Sequence, residues 1–109
     1  MKVELLEEIE ITDFEREIGV ELVIKERLFN GSSNKWYARF QNSDTKDGNI
    51  LIRSYGVGNT VDDCLKDYCK EISFKRLILN ALSENRKEIL LPKLVHTKKI
   101  NIKKFQYGT

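Results

Sequence analysis

Two alternating runs separated by one turn constrain this chain more than any other feature. In residues 20–29, Val20, Leu22, Ile24 and Leu28 fall on one side of an extended chain, with Glu21, Lys25 and Arg27 on the other. In residues 35–41, Trp36, Ala38 and Phe40 alternate with Tyr37, Arg39 and Gln41. A period of two is that of a half-buried strand, and β-branched and aromatic side chains suit the pleated surface. Between the runs lies Asn30-Gly31-Ser32-Ser33-Asn34, whose residue types tolerate turn geometry, so the two arms are expected to pair as a hairpin.

A helix is expected next to this hairpin. Thr60 is a good N-cap, Asp62 and Asp63 sit in the first turn against the positive helix end, and Val61, Leu65, Tyr68, Cys69 and Ile72 recur at helical spacing over 61–73. Elsewhere the reading is coarser. Residues 2–11 alternate imperfectly as a first strand, and Thr12-Asp13-Phe14-Glu15 has the form of a capping box for a helix of one or two turns that Gly19 would stop. The polar stretch 42–49 is expected to be a turn, with 50–55 as the third strand of an antiparallel meander. Tyr55-Gly56-Val57-Gly58-Asn59 reads as a loop into the helix. Residues 76–82 have the apolar content of a strand with protected faces, 83–88 read as a charged turn, and 89–95 read as an edge strand or crossing arm because Pro92 cannot donate to a ladder.

These elements define an α+β fold: an antiparallel sheet, one main helix on one face, and an extended basic C-terminal arm. At 109 residues with 40% hydrophobic and 33% charged side chains, the chain has the size of one domain, expected to span 1–96 with the arm at 97–109. A domain of this length buries roughly two-thirds of its unfolded surface, enough to need no disulfide framework or structural metal. No stretch approaches the roughly 18 apolar residues of a membrane span, and the first residues lack the apolar segment of a secretory signal. A cytoplasmic protein is the expectation.

The net charge of +2 hides a polarised distribution. Residues 1–17 carry seven acidic side chains against Lys2 and Arg16, while Lys93, Lys98, Lys99, Lys103 and Lys104 lie in an acid-free C-terminal stretch. A basic terminus can neutralise phosphates; alternatively, the opposite-charged ends lie side by side across a sheet. Cys64 and Cys69 are some 140° apart around a helix and would not bridge. With the lone His96 they do not make a zinc set, and no metal or cofactor is expected. Gly56 and Gly58 before a helix invite comparison with phosphate loops, but the fingerprint lysine is missing and Asp62 and Asp63 would repel an anion.

Two groups of residues remain as candidate binding sites. The arm interleaves Lys98, Lys99, Lys103 and Lys104 with Phe105 and Tyr107. Tyr37, Arg39 and Arg53 are expected on the sheet face opposite Trp36 and Phe40, where aromatic and cationic side chains would make a stacking and phosphate-binding surface.

Trp36-Tyr37-Ala38-Arg39-Phe40 on the second strand and Gly58-Asn59-Thr60-Val61-Asp62-Asp63-Cys64-Leu65 opening the helix resemble the HicB-like antitoxin domain, over residues 20–82. Asp62 and Asp63 stand where that family has glutamates, and Cys64 where it has alanine. Trp36 to Phe40, Tyr55 to Thr60, Asp67 to Ser73 and Arg86 to Pro92 also resemble small uncharacterised proteins of phages and prophages of low-GC Gram-positive bacteria. That resemblance implies a setting, infection of a bacterium and so a bacterial host cytoplasm, and not a mechanism. Small phage proteins without enzyme signatures commonly act by binding, so the expectation is a non-enzymatic accessory protein that binds a bacterial host protein, such as a CRISPR effector that it inhibits. The alternative is a small nucleic-acid-binding regulator that uses the basic arm. A homodimer through an edge strand fits either, and an enzyme would require Cys64 or Cys69 beside His96 in a cleft.

Overall fold

The computed structural model describes residues 7–27 and 35–100. The chain runs β1 (Glu8–Glu10), α1 (Ile11–Ile18), β2 (Leu22–Arg27), β3 (Lys35–Phe40), β4 (Ser43–Asp47), β5 (Ile50–Ile52), β6 (Gly56–Gly58), α2 (Val61–Ile72), β7 (Arg76–Leu79), β8 (Lys87–Leu90) and β9 (Lys93–Val95). It is an α+β protein with a main helix, α2, packed on one face of an antiparallel sheet. Neither described helix is long and apolar enough to cross a membrane.

The two alternating runs pair antiparallel, with Leu22 opposite Phe40, Ile24 opposite Ala38 and Lys25 opposite Tyr37. Because facing residues share a side, Leu22, Ile24, Ala38 and Phe40 form an inner face on the core, while Val23, Lys25, Tyr37 and Arg39 form an outer face. The intervening turn 30–34, with Leu28 and Phe29, lies outside the described residues, as do residues 2–6 of the expected first strand and residues 101–109 of the arm.

The third strand of this sheet is not the one expected. Residues 56–58, read as a loop, are β6, pairing with Trp36, Tyr37 and Ala38 of β3. Lacking side chains at two of three positions, the segment has no alternation to display. The glycines instead let α2 lie directly on the strand. A Cβ at Gly56 would run into the Cys64 carbonyl oxygen and Tyr68, and one at Gly58 would sit 2.5 Å from the Cys64 nitrogen. The helix itself starts as expected, with the Thr60 hydroxyl accepting from the Asp63 N–H at 3.0 Å.

The expected turn at 42–49 is also corrected. It contains β4, which joins β5, β7 and β8 in a second sheet of order β5-β4-β7-β8, so 50–55 does not extend a meander from β3. Asn42, with φ of 53°, bends the chain from one sheet to the other. Ser43 and Thr45 then face the core beside Leu79 and Leu77. The Ser43 hydroxyl donates to the Phe40 carbonyl at 2.6 Å and the ladder to β7 takes up the backbone, whereas the buried Thr45 hydroxyl finds no hydrogen-bond partner among the described residues.

Around Pro92 there are two strands rather than one. β8 is an edge of the second sheet, and β9 pairs parallel with β1, placing Glu8, Ile9 and Glu10 opposite Lys93, Leu94 and Val95. Residues 83–86 make the connection, β8 starts at Lys87, and Leu82 is fully exposed rather than part of a protected strand. The capping box does not form: α1 begins two residues earlier, with Glu10 as N-cap and no side-chain cap, and Thr12 lies inside the helix. Glu15, expected to cap, instead accepts the Leu22 N–H at 2.6 Å, and Gly19 closes the helix in the left-handed conformation as expected.

Candidate functional site

The outer face of the β2-β3-β6 sheet follows directly from strand register. Cross-strand neighbours place Arg27 beside Lys35, Lys25 beside Tyr37, Val23 beside Arg39, and Tyr37 beside Val57. Among the described residues neither helix covers this face; Phe14 of α1 and Tyr68 of α2 both meet Phe40 on the inner one. Two tyrosines anchor the surface. The Tyr37 and Tyr55 rings lie 5.8 Å apart at 52°, with the Arg27 guanidinium 5.6 Å from the Tyr37 centroid and the Arg53 guanidinium 5.5 Å from the Tyr55 centroid. The result is a cation–ring–ring–cation stack of tilted rings, each with a guanidinium within cation–π distance.

Beside this stack is an open hollow of about 400 Å³, lined by Val23, Lys25, Tyr37, Arg39, Gln41 and Asn42. Arg39 is oriented by the Ser43 carbonyl, to which its Nη2 donates at 2.6 Å. Lys25 and Lys35 make no ion pair among the described residues. The face therefore offers flat apolar surface flanked by cations, with a donor and acceptor set at Gln41 and Asn42.

Of the residues singled out from sequence, Tyr37 and Arg39 meet on this surface. Arg53 reaches it only through Tyr55, since its Nη2 lies 2.8 Å from Asp67 and 3.4 Å from Glu71 of α2. Asp67 also accepts the Val57 N–H at 2.9 Å, so one carboxylate ties α2 to the sheet edge and neutralises part of Arg53. Lys98 and Lys99 lie elsewhere, on the β1–β9 side, and Lys98 pairs with Asp13 at 3.0 Å. Lys103, Lys104, Phe105 and Tyr107 lie outside the described residues. Sequence reasoning missed Tyr55 and Lys35, and did not weigh Lys25 or Arg27 as site residues, although their odd-numbered alternation with the inner residues was the signal.

The charged ends of the chain do lie side by side. Lys93 pairs with Glu8 at 2.7 Å, and the His96 ring, with no exposed side-chain surface, is held between Glu10 at Nδ1 and Asp62 at Nε2, both at 2.8 Å. Glu10 also accepts the Thr97 N–H and hydroxyl, and Asp62 accepts the Ile100 N–H. Burial pushes the Glu10 carboxyl up, but the hydrogen bonds from Thr97 and His96 outweigh it and hold the group below its usual range. The His96 hydrogen bond, with that of Ile100, holds Asp62 low as well.

Neither cysteine is paired with this histidine as a nucleophile would be. Both thiols are buried, and desolvation aided by nearby carboxylates pushes each up to about 12. Cys64 donates to the Val61 carbonyl, while both nitrogens of His96 are occupied by carboxylates. Compared with protein families, curated proteins and solved structures, the chain matches none.

Proposed function

We propose that this protein is a non-enzymatic binding module whose ligand is a single-stranded nucleic acid laid across the outer face of the β2-β3-β6 sheet. The observation that carries the reading is the Arg27–Tyr37–Tyr55–Arg53 cluster on a sheet face that neither described helix covers, flanked by Lys25, Lys35 and Arg39. Bases stack on tyrosine faces whatever their identity, and cations along the strands follow the phosphates, so the surface suits a sequence-tolerant reader.

The test is fluorescence anisotropy with labelled oligo-dT of twelve nucleotides. Wild type binds at low salt, and the logarithm of affinity falls linearly with that of salt concentration. Replacing Tyr37 and Tyr55 together by alanine lowers affinity by about tenfold or more, each lost stack being worth about 1–3 kcal/mol. Equal affinity in wild type and the double variant overturns the reading.

A second reading has its own observation. In the phage-type accessory protein that binds and inhibits a host complex such as a CRISPR effector, the contact would fall on β5, an edge strand with Ile50 and Leu51 exposed at 71% and 63%. An apolar edge with free backbone groups is a pairing site for another chain, whether a host protein or a second copy. Nuclease-resistant capture of a stoichiometric partner, abolished by Leu51→Lys, supports it; sedimentation of a dimer lost in the same variant assigns the edge to self-association.

A further inference from the structure

On the other side of α2 from its acidic flank the helix borders a groove with chemistry unlike that of the sheet face. It has a volume of about 590 Å³ and runs between the C-terminal half of α2 and β9. Helix α2 sorts its charges by flank. Asp67 and Glu71 turn toward Arg53, while Lys66 and Lys70, four residues apart and so on one side, border the groove. Lys75 and Lys93 complete a rim of lysines, over a floor that includes Cys69, Leu94 and Val95.

Lys93 is paired with Glu8 and Lys75 donates to the Glu71 carbonyl, but Lys66 and Lys70 have no ion-pair partner among the described residues. The Asp62 carboxylate, one turn before Lys66, is already engaged by His96 and Ile100.

At the groove mouth stands Phe74, 58% exposed and with φ of 66°. A bulky side chain in the left-handed region is disfavoured, and glycine would be the ordinary choice for a residue two past a helix end. Packing does not account for the ring, since most of it faces water. The surrounding walls are fixed: the Ser73 hydroxyl bonds the Cys69 carbonyl and receives the Leu94 N–H, and the Phe74 N–H reaches the Pro92 carbonyl. An aromatic anchor is thus held out from a rigid corner of the groove that Lys66 and Lys70, without an ion pair among the described residues, also line.

We propose that this groove binds an acidic segment of a partner protein, carboxylates against Lys66 and Lys70 and one apolar side chain against Phe74. Charge complementarity selects the occupant. Lysines present point charges over an apolar floor with a single ring, which suits carboxylates around an apolar anchor, whereas the stacked rings and guanidiniums that a nucleic-acid strand uses lie on the sheet. The proposal stands apart from the nucleic-acid reading, and with it makes the chain an adaptor with two ligands on separate surfaces.

The test titrates the full chain at low salt with a fluorescein-labelled twelve-residue peptide of glutamates flanking two leucines, and in parallel with the oligo-dT probe. Lys66→Glu combined with Lys70→Glu lowers peptide affinity by about tenfold or more and leaves oligo-dT affinity within about twofold. Phe74→Gly lowers peptide affinity by about fivefold without lowering the thermal midpoint, because it relieves the left-handed residue; a merely structural Phe74 would move the midpoint instead. Three results overturn the proposal: a wild type that does not bind the peptide, a peptide affinity untouched by the double reversal, or a parallel loss of both probes. Loss of oligo-dT binding in every variant and wild type, with peptide binding intact, sinks only the nucleic-acid reading.

Discussion

The two faces of the β2-β3-β6 sheet share a backbone and differ in everything else. On the inner face the residues are small or apolar: Gly56, Gly58, Ala38, Phe40, Ile24 and Leu22. There α2 approaches so closely that two glycines are sterically required, and the Phe40 N–H reaches through to the Tyr68 hydroxyl at 3.0 Å. On the outer face, which neither described helix covers, Lys25, Lys35 and Arg39 are exposed, Arg39 is held by the Ser43 carbonyl, and Tyr37 lies between Tyr55 and the Arg27 guanidinium. One face spends its residues on closeness, the other on reach. Stability and binding should therefore respond to substitutions on opposite faces.

The largest effect is expected where closeness is most demanding. Gly56→Val drives a branched side chain into the Cys64 carbonyl and the Tyr68 backbone, atoms that cannot yield without lifting the helix off the strand. Overpacking against backbone costs at least about 3 kcal/mol, so urea unfolding should show a sharply lowered midpoint or no folded protein at all. Val57→Ala, one residue away on the outer face, should move the same midpoint by less than about 1 kcal/mol. A Gly56→Val protein as stable as wild type would mean that α2 does not rest on β6.

That comparison also explains what could be read beforehand. The inner and outer rows of β2 and β3 were legible because most positions carry a side chain whose polarity reports its face, with Val23 in the outer row and Glu26 in the inner one as exceptions. The same code is silent in β6, where Gly56 and Gly58 report only that something comes near, and the α2 N-cap at Thr60 made a loop the natural inference for the residues before it. In β4 the code misleads. Ser43 and Thr45 are buried yet polar, and burial there depends on β7, more than thirty residues later, which no local pattern announces. The stack is half legible for the same reason: Tyr37 and Arg39 show their face by alternation, whereas Tyr55 reaches Tyr37 through a bend between sheets. His96 is a lone residue in sequence, and its two carboxylates come from Glu10 and Asp62, at distant points of the chain.

A middle-sized effect tests charge on the enclosed side. Glu10 and Asp62 both titrate below their usual range in the folded protein, so their contribution is complete above the unfolded values of about 4 to 4.5 and is lost as pH falls through the lower folded values. Stability measured by urea between pH 7 and pH 3 should decline on the acid side. Glu10→Gln removes one of these groups and weakens the contacts to His96 and Thr97, lowering stability near neutrality by about 1–3 kcal/mol and flattening the acid limb. An unchanged acid limb would place the titrating charge elsewhere.

The smallest effect on stability should come from the residue most exposed to a ligand. Lys25 is exposed, lies across the strand pair from Tyr37 and lines the hollow, and makes no ion pair among the described residues. Lys25→Ala removes a side chain that the fold does not use, and should change unfolding free energy by no more than about 0.5 kcal/mol. Its consequence lies in binding. If Lys25 neutralises one phosphate of a single strand, the slope of log affinity against log salt should flatten by about 0.7, the contribution of one contact. Because the substitution leaves the stacking rings in place, affinity extrapolated to high salt should stay close to that of wild type. A lowered affinity with an unaltered slope would mean that Lys25 acts through packing, which is the role the inner face performs and the outer face should lack.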